Sequence, residues 1–192
     1  YNASGWDRDK VYPLLGFDTF YSLKDWVNPV KIRKYVSDQS CYDKIIELYE
    51  QKDANTPFFL FNVTMQNHSS YSEEYDNFHP DITVEGTSSK ILPNYLSLIK
   101  LSDQALENLI EYFSQADEDT IIVFFGDHQP SNSVAAPVWK INGKSGDSLT
   151  EEEESLRYKV PFIIWANYDI EATSNVETSA NYLGGHVLRA AG

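Results

Sequence analysis

Two side chains that could bind a metal ion follow directly after a strongly apolar stretch. Residues 120–125 are Thr-Ile-Ile-Val-Phe-Phe, and Gly126 separates them from Asp127 and His128. Such a run without alternation is typical of a strand buried on both faces, as in parallel sheets. Ligands bind beyond the carboxyl ends of such strands, and a carboxylate beside an imidazole suits Zn or Mn. The pattern alone indicates equally a metal site or a capping Asp beside a hydrogen-bonded His.

A second apolar segment, at 58–64, also runs into a polar cluster, and this one contains His68. Between the two segments, apolar residues recur three and four positions apart from 92 to about 116, which predicts a long amphipathic helix. Strand, helix and strand in this order predict a right-handed parallel crossover. Because both strands would end at one edge of the sheet, we expect His68 to lie towards the Asp-His pair.

The remaining pattern completes an α/β domain. Ser37 can cap a helix that runs to about Lys52. The segment 160–166 predicts a third strand, and its proline indicates a sheet edge or the start of the strand. The segment from about 178 to 191 predicts a final helix. The sequence therefore predicts a mainly parallel sheet flanked by helices, in a single domain over 1–192.

Composition excludes several classes of protein. The chain has 192 residues, a formal net charge of −14 and 42% hydrophobic residues. The charge argues against nucleic-acid binding, which depends on basic patches, and the apolar content argues against a disordered chain. Cys41 is the only cysteine, so no internal disulfide can form. There is no apolar window of about 18 residues that would span a membrane.

Several strings in a fixed order resemble one family. They are Gly-Trp-Asp-Arg-Asp-Lys-Val-Tyr at 5–12, Thr-Met-Gln-Asn-His at 64–68, Phe-Gly-Asp-His-Gln-Pro at 125–130 and Pro-Phe-Ile-Ile-Trp-Ala-Asn-Tyr-Asp-Ile at 161–170. The chain resembles the carboxy-terminal part of the extracellular catalytic domain of lipoteichoic acid synthases and related phosphoglycerol transferases. These enzymes form the sulfatase-like branch of the alkaline phosphatase superfamily. The resemblance covers essentially the whole chain and implies a partial domain of that fold.

The resemblance also implies roles for individual residues. Asp127 and His128 match two metal ligands, and the metal is expected to be Mn, with Mg or Ca as alternatives. His68 matches a histidine of the substrate pocket that could hydrogen-bond or protonate a phosphoryl or leaving oxygen. Trp6 and Arg8 match residues that hold the glycerol phosphate head group, where a guanidinium can grip phosphate in a bidentate way. The structural alternatives are Trp6 in the core, Arg8 in a surface ion pair, and His68 as a loop cap.

Parts of the family's catalytic centre have no counterpart here. The resemblance places an acidic metal ligand and a threonine nucleophile upstream of the region aligned with Tyr1. Cys41 is followed by Tyr-Asp-Lys, so it does not form the Cys-x-Pro-x-Arg motif of a sulfatase nucleophile. We therefore expect this chain by itself to be inactive, and the metal to be absent or loosely held in it.

The resulting functional prediction is the later half of a metal-dependent phosphoglycerol transferase. It would act on a phosphatidylglycerol-like lipid, or another phosphate or sulfate ester, through the upstream threonine. The resemblance places it at the extracellular face of the cell membrane, anchored by upstream helices that are not in this chain. Two alternatives remain: a hydrolase of the sulfatase or phosphodiesterase type, and a non-catalytic module that binds anionic cell-wall polymer.

Overall fold

The structure is a computed structural model, and it describes residues 3–192. These residues divide into two compact units. The first unit comprises the described residues up to Val84 together with Lys90–Leu106, and the second comprises Glu85–Ser89 and Glu107–Gly192. The prediction of a single domain stays a prediction.

The first unit contains a small hairpin, two complete helices and most of a third. It contains α1 (Arg8–Leu14), β1 (Lys31–Ile32), β2 (Tyr35–Val36), α2 (Asp38–Gln51) and the larger part of α3 (Ile91–Ser114). β1 and β2 pair in antiparallel fashion. Ser37 caps α2, and its hydroxyl accepts a hydrogen bond from the Ser40 N–H at 3.1 Å. The predicted capped helix is confirmed.

The interior of this unit combines apolar packing with a buried polar network. Leu98 of α3 is fully buried. Beside it, the Gln66 side chain accepts from the Asp38 N–H at 3.0 Å and donates to the Leu98 carbonyl at 3.3 Å and the Ser102 hydroxyl at 3.1 Å. The Ser102 hydroxyl in turn donates to the Asp38 carboxylate. Buried polar groups need such partners because an unpaired one is costly.

The predicted strand at 58–64 is wrong. The segment is not part of a strand in the described chain. Several of its apolar side chains are exposed, with Phe59 at 80% and Phe58, Phe61 and Val63 also open to solvent. A strand buried on both faces needs neighbouring strands, and no ladder forms along this segment within residues 3–192.

The second unit contains a two-stranded sheet and short helices. β3 (Ile121–Phe125) pairs with β4 (Phe162–Ala166), with Ile121 opposite Ala166 and Phe125 opposite Phe162. The helices are α4 (Asn132–Ile141), α5 (Glu151–Ser155) and α6 (Leu183–Ala191). The side chain of Asn167 donates to the carbonyls of Phe113, Ala116 and Glu118 and accepts from the Thr120 N–H at 2.7 Å. One amide therefore fixes the connection from the end of α3 into β3.

The strands at 121–125 and 162–166 and the long helix α3 confirm three predicted elements, while the pairing differs from the prediction. Both ladders of the described chain are antiparallel, so the predicted parallel crossover is wrong for these residues. The final helix begins at Leu183 rather than 178. Helices with small sheets agree with the predicted partial α/β domain. Within residues 3–192, no helix combines the length and the apolar character needed to cross a bilayer.

The buried carboxyl of Asp38 predicts a pH dependence of stability. Burial raises its pKa, against the opposing hydrogen bonds from Ser102, Thr64 and Gln66. Because the folded pKa exceeds the unfolded one, about 3.9, the group adds stability that is complete below the unfolded pKa. That stability is lost as pH rises through the folded pKa. Urea unfolding at several pH values measures the free energy of unfolding of the wild type and of Asp38→Asn. The value for the wild type minus the value for the variant should fall as pH rises.

Asp25→Asn provides a control of opposite sign. Hydrogen bonds from the Ser22 backbone and hydroxyl lower the pKa of Asp25. Its contribution is present above the unfolded pKa and lost as pH falls through the folded one, so the corresponding difference should rise with pH. A rising difference for Asp38 would contradict the assignment.

Candidate metal and phosphate site

Gly126 ends β3 at a place where a side chain would not fit easily. Its N–H donates to the carbonyl of Pro161 at 3.1 Å. A Cβ at this position would lie 3.2 Å from the Cβ of Val160. A side chain here would therefore crowd Val160 where the chain passes close to the beginning of β4, directly before Asp127.

Asp127 and His128 converge on each other at the end of β3. The Asp127 Oδ1 atom accepts from the His128 N–H at 2.8 Å, and its Oδ2 atom lies 3.5 Å from the His128 Nε2 atom. Both side chains are open to solvent, at 83% and 74% exposure. Their solvent exposure leaves both side chains accessible to a ligand.

The hydrogen bonding of His128 determines which ring nitrogen faces the carboxylate as an acceptor. Its Nδ1 atom lies 2.9 Å from the Gln129 carbonyl oxygen. A carbonyl only accepts, so this contact is a hydrogen bond in the tautomer with hydrogen on Nδ1, and in that tautomer Nε2 carries the lone pair. In that tautomer two acceptors face each other, an arrangement that suits a bound cation. Metal-bound histidines commonly donate their other N–H to a backbone carbonyl in this way.

The pair fits part of a metal coordination sphere. Two ligands of one ion, each about 2.1 Å from it, lie roughly 3.0–3.4 Å apart, close to the separation of Nε2 and Oδ2. No cluster of three or more His, Cys, Asp or Glu side chains suited to a metal occurs among residues 3–192. A metal held here would therefore need further ligands from water or from protein outside the described residues.

The loop after the pair is held by residues that no sequence motif singled out. The Arg157 Nη2 atom donates to the Pro130 carbonyl at 2.6 Å and to the Asn132 Oδ1 atom at 3.2 Å. Its guanidinium lies over the Trp139 ring, 5.7 Å from the centroid. A lone arginine in a polar stretch carries no periodic or motif signal, so its role could not be found from the sequence.

His68 belongs to the first unit, whereas Asp127 and His128 belong to the second. The parallel strand pairing that was expected to bring them together does not form. Its Nδ1 atom lies 3.2 Å from the Tyr35 hydroxyl oxygen and 3.1 Å from the Ser69 carbonyl oxygen. Tyr35, like its neighbour Arg33 in the β1–β2 turn, was not singled out by the sequence.

Arg8 and Trp6 lie at the start of α1 in the first unit. Arg8 is half-buried and lines a cleft of about 700 Å³ whose other walls include aromatic side chains and four lysines. Trp6 is 86% exposed, so its alternative as a core residue is wrong. The backbone of Trp6 is left-handed, with φ 60°, which is unfavourable for a bulky residue. The nearby Asp7 carboxylate pairs with Lys10.

Comparison with known proteins identifies the family. The sequence model described as Sulfatase matches residues 1–192. The chain belongs to the sulfatase family. Within that family, the chain is similar to lipoteichoic acid synthase, as the resemblance implied.

Curated relatives are considerably longer than this chain. A putative cyclic beta-1,2-glucan modification protein of Rhizobium meliloti (strain 1021) is 29% identical over 194 residues, covering 97% of the chain and 30% of that protein. Lipoteichoic acid synthase of Staphylococcus aureus (strain USA300) is 27% identical over 135 residues, covering 64% of the chain and 19% of that protein. The chain thus spans less than a third of the length of either relative.

Two solved structures share the fold. The phosphoglycerol transferase GacH of Streptococcus pyogenes, in complex with sn-glycerol-1-phosphate, superposes with a TM-score of 0.72 at 20% identity, covering 98% of this chain and 47% of that one. The lipoteichoic acid synthase LtaP of Listeria monocytogenes gives 0.66 at 24% identity, covering 85% and 40%. The α/β, sulfatase-like fold class is confirmed.

The close approach at Gly126 predicts the effect of adding a methyl group there. Gly126→Ala should lower the free energy of unfolding by about 1–3 kcal/mol, since Val160 must move to admit the Cβ. Urea unfolding measures this. Gly185→Ala in α6 is the matched control, because a Cβ there meets nothing within 4 Å. It should be neutral or stabilising by up to about 1 kcal/mol. Equal effects of the two substitutions would refute the packing argument.

Proposed function

We propose that this chain supplies metal-binding and phosphate-binding residues to a metal-dependent phosphoglycerol transferase that acts on a phosphatidylglycerol-like lipid. The observation that carries the proposal is the Asp127–His128 pair, in which the Nε2 atom lies 3.5 Å from a carboxylate oxygen. Both groups are exposed and end a strand of the sheet. Mn is the metal that we expect, with Mg or Ca as alternatives, because carboxylate and imidazole suit such ions.

The metal ion would be held by the Oδ2 atom of Asp127 and the Nε2 atom of His128. When bound, it would neutralise developing phosphate charge and help to activate the nucleophile. In the family resemblance that nucleophile is a threonine upstream of the region aligned with Tyr1. The residues of this chain therefore bind and orient the ester and assist the movement of protons.

Three residues of the first unit have proposed roles towards the substrate. Arg8 lines the cleft and would donate its planar guanidinium to non-bridging phosphate oxygens. Trp6 would offer a flat wall to the glycerol carbons, and its exposure together with its strained backbone supports a binding role. His68 would exchange a proton with a phosphoryl or leaving oxygen through its ring. We place this chemistry at the extracellular face of the cell membrane, with membrane attachment through helices outside this chain.

Metal binding tests the Asp-His pair directly. Titration of the 192-residue chain with Mn²⁺, followed by electron paramagnetic resonance, should show weak binding, because only two protein ligands are present. Loss of a residue that hydrogen-bonds a metal ligand weakens metal binding about 10–100-fold. Asp127→Ala removes a proposed ligand itself, so it should weaken Mn²⁺ binding at least as much. Asp169→Ala is the matched control, since this exposed carboxylate lies beyond the opposite end of the same sheet. Equal Mn²⁺ affinity in the wild type and Asp127→Ala would remove the pair from the proposed site.

Lipid turnover distinguishes transfer from binding alone. We expect the 192-residue chain with Mn²⁺ to release negligible diacylglycerol from phosphatidylglycerol. In a longer protein that also carries the proposed upstream threonine, called the longer protein below, we expect Asp127→Ala to abolish this release. Rapid turnover by the chain alone would place a nucleophile within it. Unchanged turnover by Asp127→Ala in the longer protein would favour a module that binds anionic polymer, and release of free glycerol phosphate to water would favour a hydrolase.

A further inference from the structure

Arg33 occupies a position in the β1–β2 turn that its backbone does not favour. Ile32 pairs with Tyr35, so Arg33 and Lys34 form a two-residue turn. Arg33 has a left-handed backbone with φ 55°, and its residue is only 5% exposed. Glycine is the usual residue where a tight hairpin needs positive φ. An arginine that is both strained and buried points to a function of its side chain.

The guanidinium of Arg33 is enclosed by the backbone of the loop that carries His68. Its Nη1 atom donates to the Ser70 carbonyl at 2.6 Å, and its Nη2 atom donates to the Gln66 and His68 carbonyls at 2.6 and 2.8 Å. The three acceptors belong to alternate residues of one loop, so a single rigid group fixes the path of the loop on both sides of His68. We call these three contacts the carbonyl cage.

Two tyrosine rings complete the cage. The Arg33 guanidinium carbon lies 5.6 Å from the centroid of the Tyr35 ring and 5.4 Å from that of Tyr71. Cation–π contacts of this kind stabilise a cation that has lost its water. No carboxylate forms an ion pair with Arg33 in the part of the chain that the structure describes. The direct contacts of the buried charge are therefore with carbonyls and rings, and these belong to the loop or the hairpin.

Tyr35 contacts the His68 ring as well as the loop. Its hydroxyl donates to the Ser69 carbonyl at 3.2 Å and lies 3.2 Å from the His68 Nδ1 atom. The same Nδ1 atom is 3.1 Å from the Ser69 carbonyl oxygen. Because that carbonyl can only accept, a consistent arrangement has hydrogen on Nδ1, and the phenol proton is directed to Ser69. The Tyr35 oxygen then accepts from Nδ1.

We propose that Arg33 and Tyr35 are positioning residues that hold His68 in the Nδ1–H tautomer and present its Nε2 atom to the substrate. Arg33 fixes the loop through the carbonyl cage, and Tyr35 fixes the ring. The lone pair of Nε2 is then the site that takes up and returns a proton at a phosphoryl or leaving oxygen. This inference rests on the proposed role of His68, but the tautomer itself is a property of the chain without substrate.

The tautomer can be observed directly. Nitrogen-15 NMR of the 192-residue chain, with the ring neutral, should show a protonated Nδ1 and an unprotonated Nε2 for His68. Tyr35→Phe removes one of the two acceptors near the Nδ1–H and leaves it the Ser69 carbonyl. The ratio of Nδ1–H to Nε2–H tautomers should then fall about fivefold, the factor that corresponds to a hydrogen bond worth about 1 kcal/mol.

Tyr71→Phe is the matched control for Tyr35→Phe. Both rings flank the Arg33 guanidinium, but the Tyr71 hydroxyl donates to the Asn67 carbonyl at 2.6 Å and not to the imidazole. It should keep the wild-type tautomer ratio. A dominant Nε2–H tautomer in the wild type, or an equal change in the two variants, would overturn the role of Tyr35.

Arg33 is tested with a variant that suits the turn. Arg33→Gly relieves the left-handed backbone and retains the hairpin geometry while removing the carbonyl cage. Its His68 ring signals should broaden or multiply and lose the tautomer preference, whereas Arg33→Lys, which keeps the charge without the planar fork, should recover only part of it. A single sharp set of His68 signals with the wild-type ratio in Arg33→Gly would overturn its role.

Turnover in the longer protein separates this inference from the proposed function. Tyr35→Phe should lower kcat about fivefold with KM for phosphatidylglycerol unchanged, because the ring is misplaced and the head-group contacts are not. If His68→Ala turns over lipid normally, the proposed role of His68 fails, while the NMR result still decides whether Tyr35 and Arg33 set the tautomer. A change in KM alone for Tyr35→Phe would contradict positioning.

Discussion

Gln66 is the residue on which the first unit depends, because its polar groups join three parts of the chain that are remote in sequence. It is 1% exposed. Its side chain bonds the first N–H of α2, at Asp38, and the Leu98 carbonyl and Ser102 hydroxyl of α3. Its backbone carbonyl accepts from Arg33 in the hairpin turn. In a buried network of this kind every member needs its partner, so the alternative packings of these elements are costly.

The position of His68 follows from that constraint. Gln66 fixes one end of the loop against α2 and α3. The Arg33 guanidinium fixes the following part of the loop through the His68 and Ser70 carbonyls. The side chain of His68 stays exposed, because Arg33 contacts its backbone carbonyl and Tyr35 contacts only the Nδ1 side of its ring. A rigid backbone beneath an accessible ring is what a proton-exchanging histidine requires. In the second unit, the amide of Asn167 plays a comparable part by joining the end of α3 to β3.

Local patterns predicted what local interactions decide. The cap at Ser37, the length of α3 and the strand before Asp127 could be read from the sequence because each depends on residues within a few turns of one another. Pairing could not. The apolar run at 58–64 has the composition of a buried strand, yet burial depends on neighbours from elsewhere, and none pairs with it in the described chain. The roles of Arg33 and Tyr35 could not be predicted from the sequence for the same reason, because their partners lie more than 30 residues away.

The two candidate histidines share one arrangement that explains how similar rings can serve different tasks. In each, Nδ1 contacts the carbonyl oxygen of the following residue, at 3.1 Å for His68 and 2.9 Å for His128. Each neutral ring therefore presents the lone pair of Nε2. For His128 that lone pair meets the Asp127 carboxylate, and two facing acceptors favour a cation. For His68 the neighbour is a tyrosine hydroxyl on the Nδ1 side. The same backbone contact is thus compatible with the proposed metal ligand in one unit and the proposed proton carrier in the other, and the difference lies in which side of the ring the neighbouring oxygen occupies.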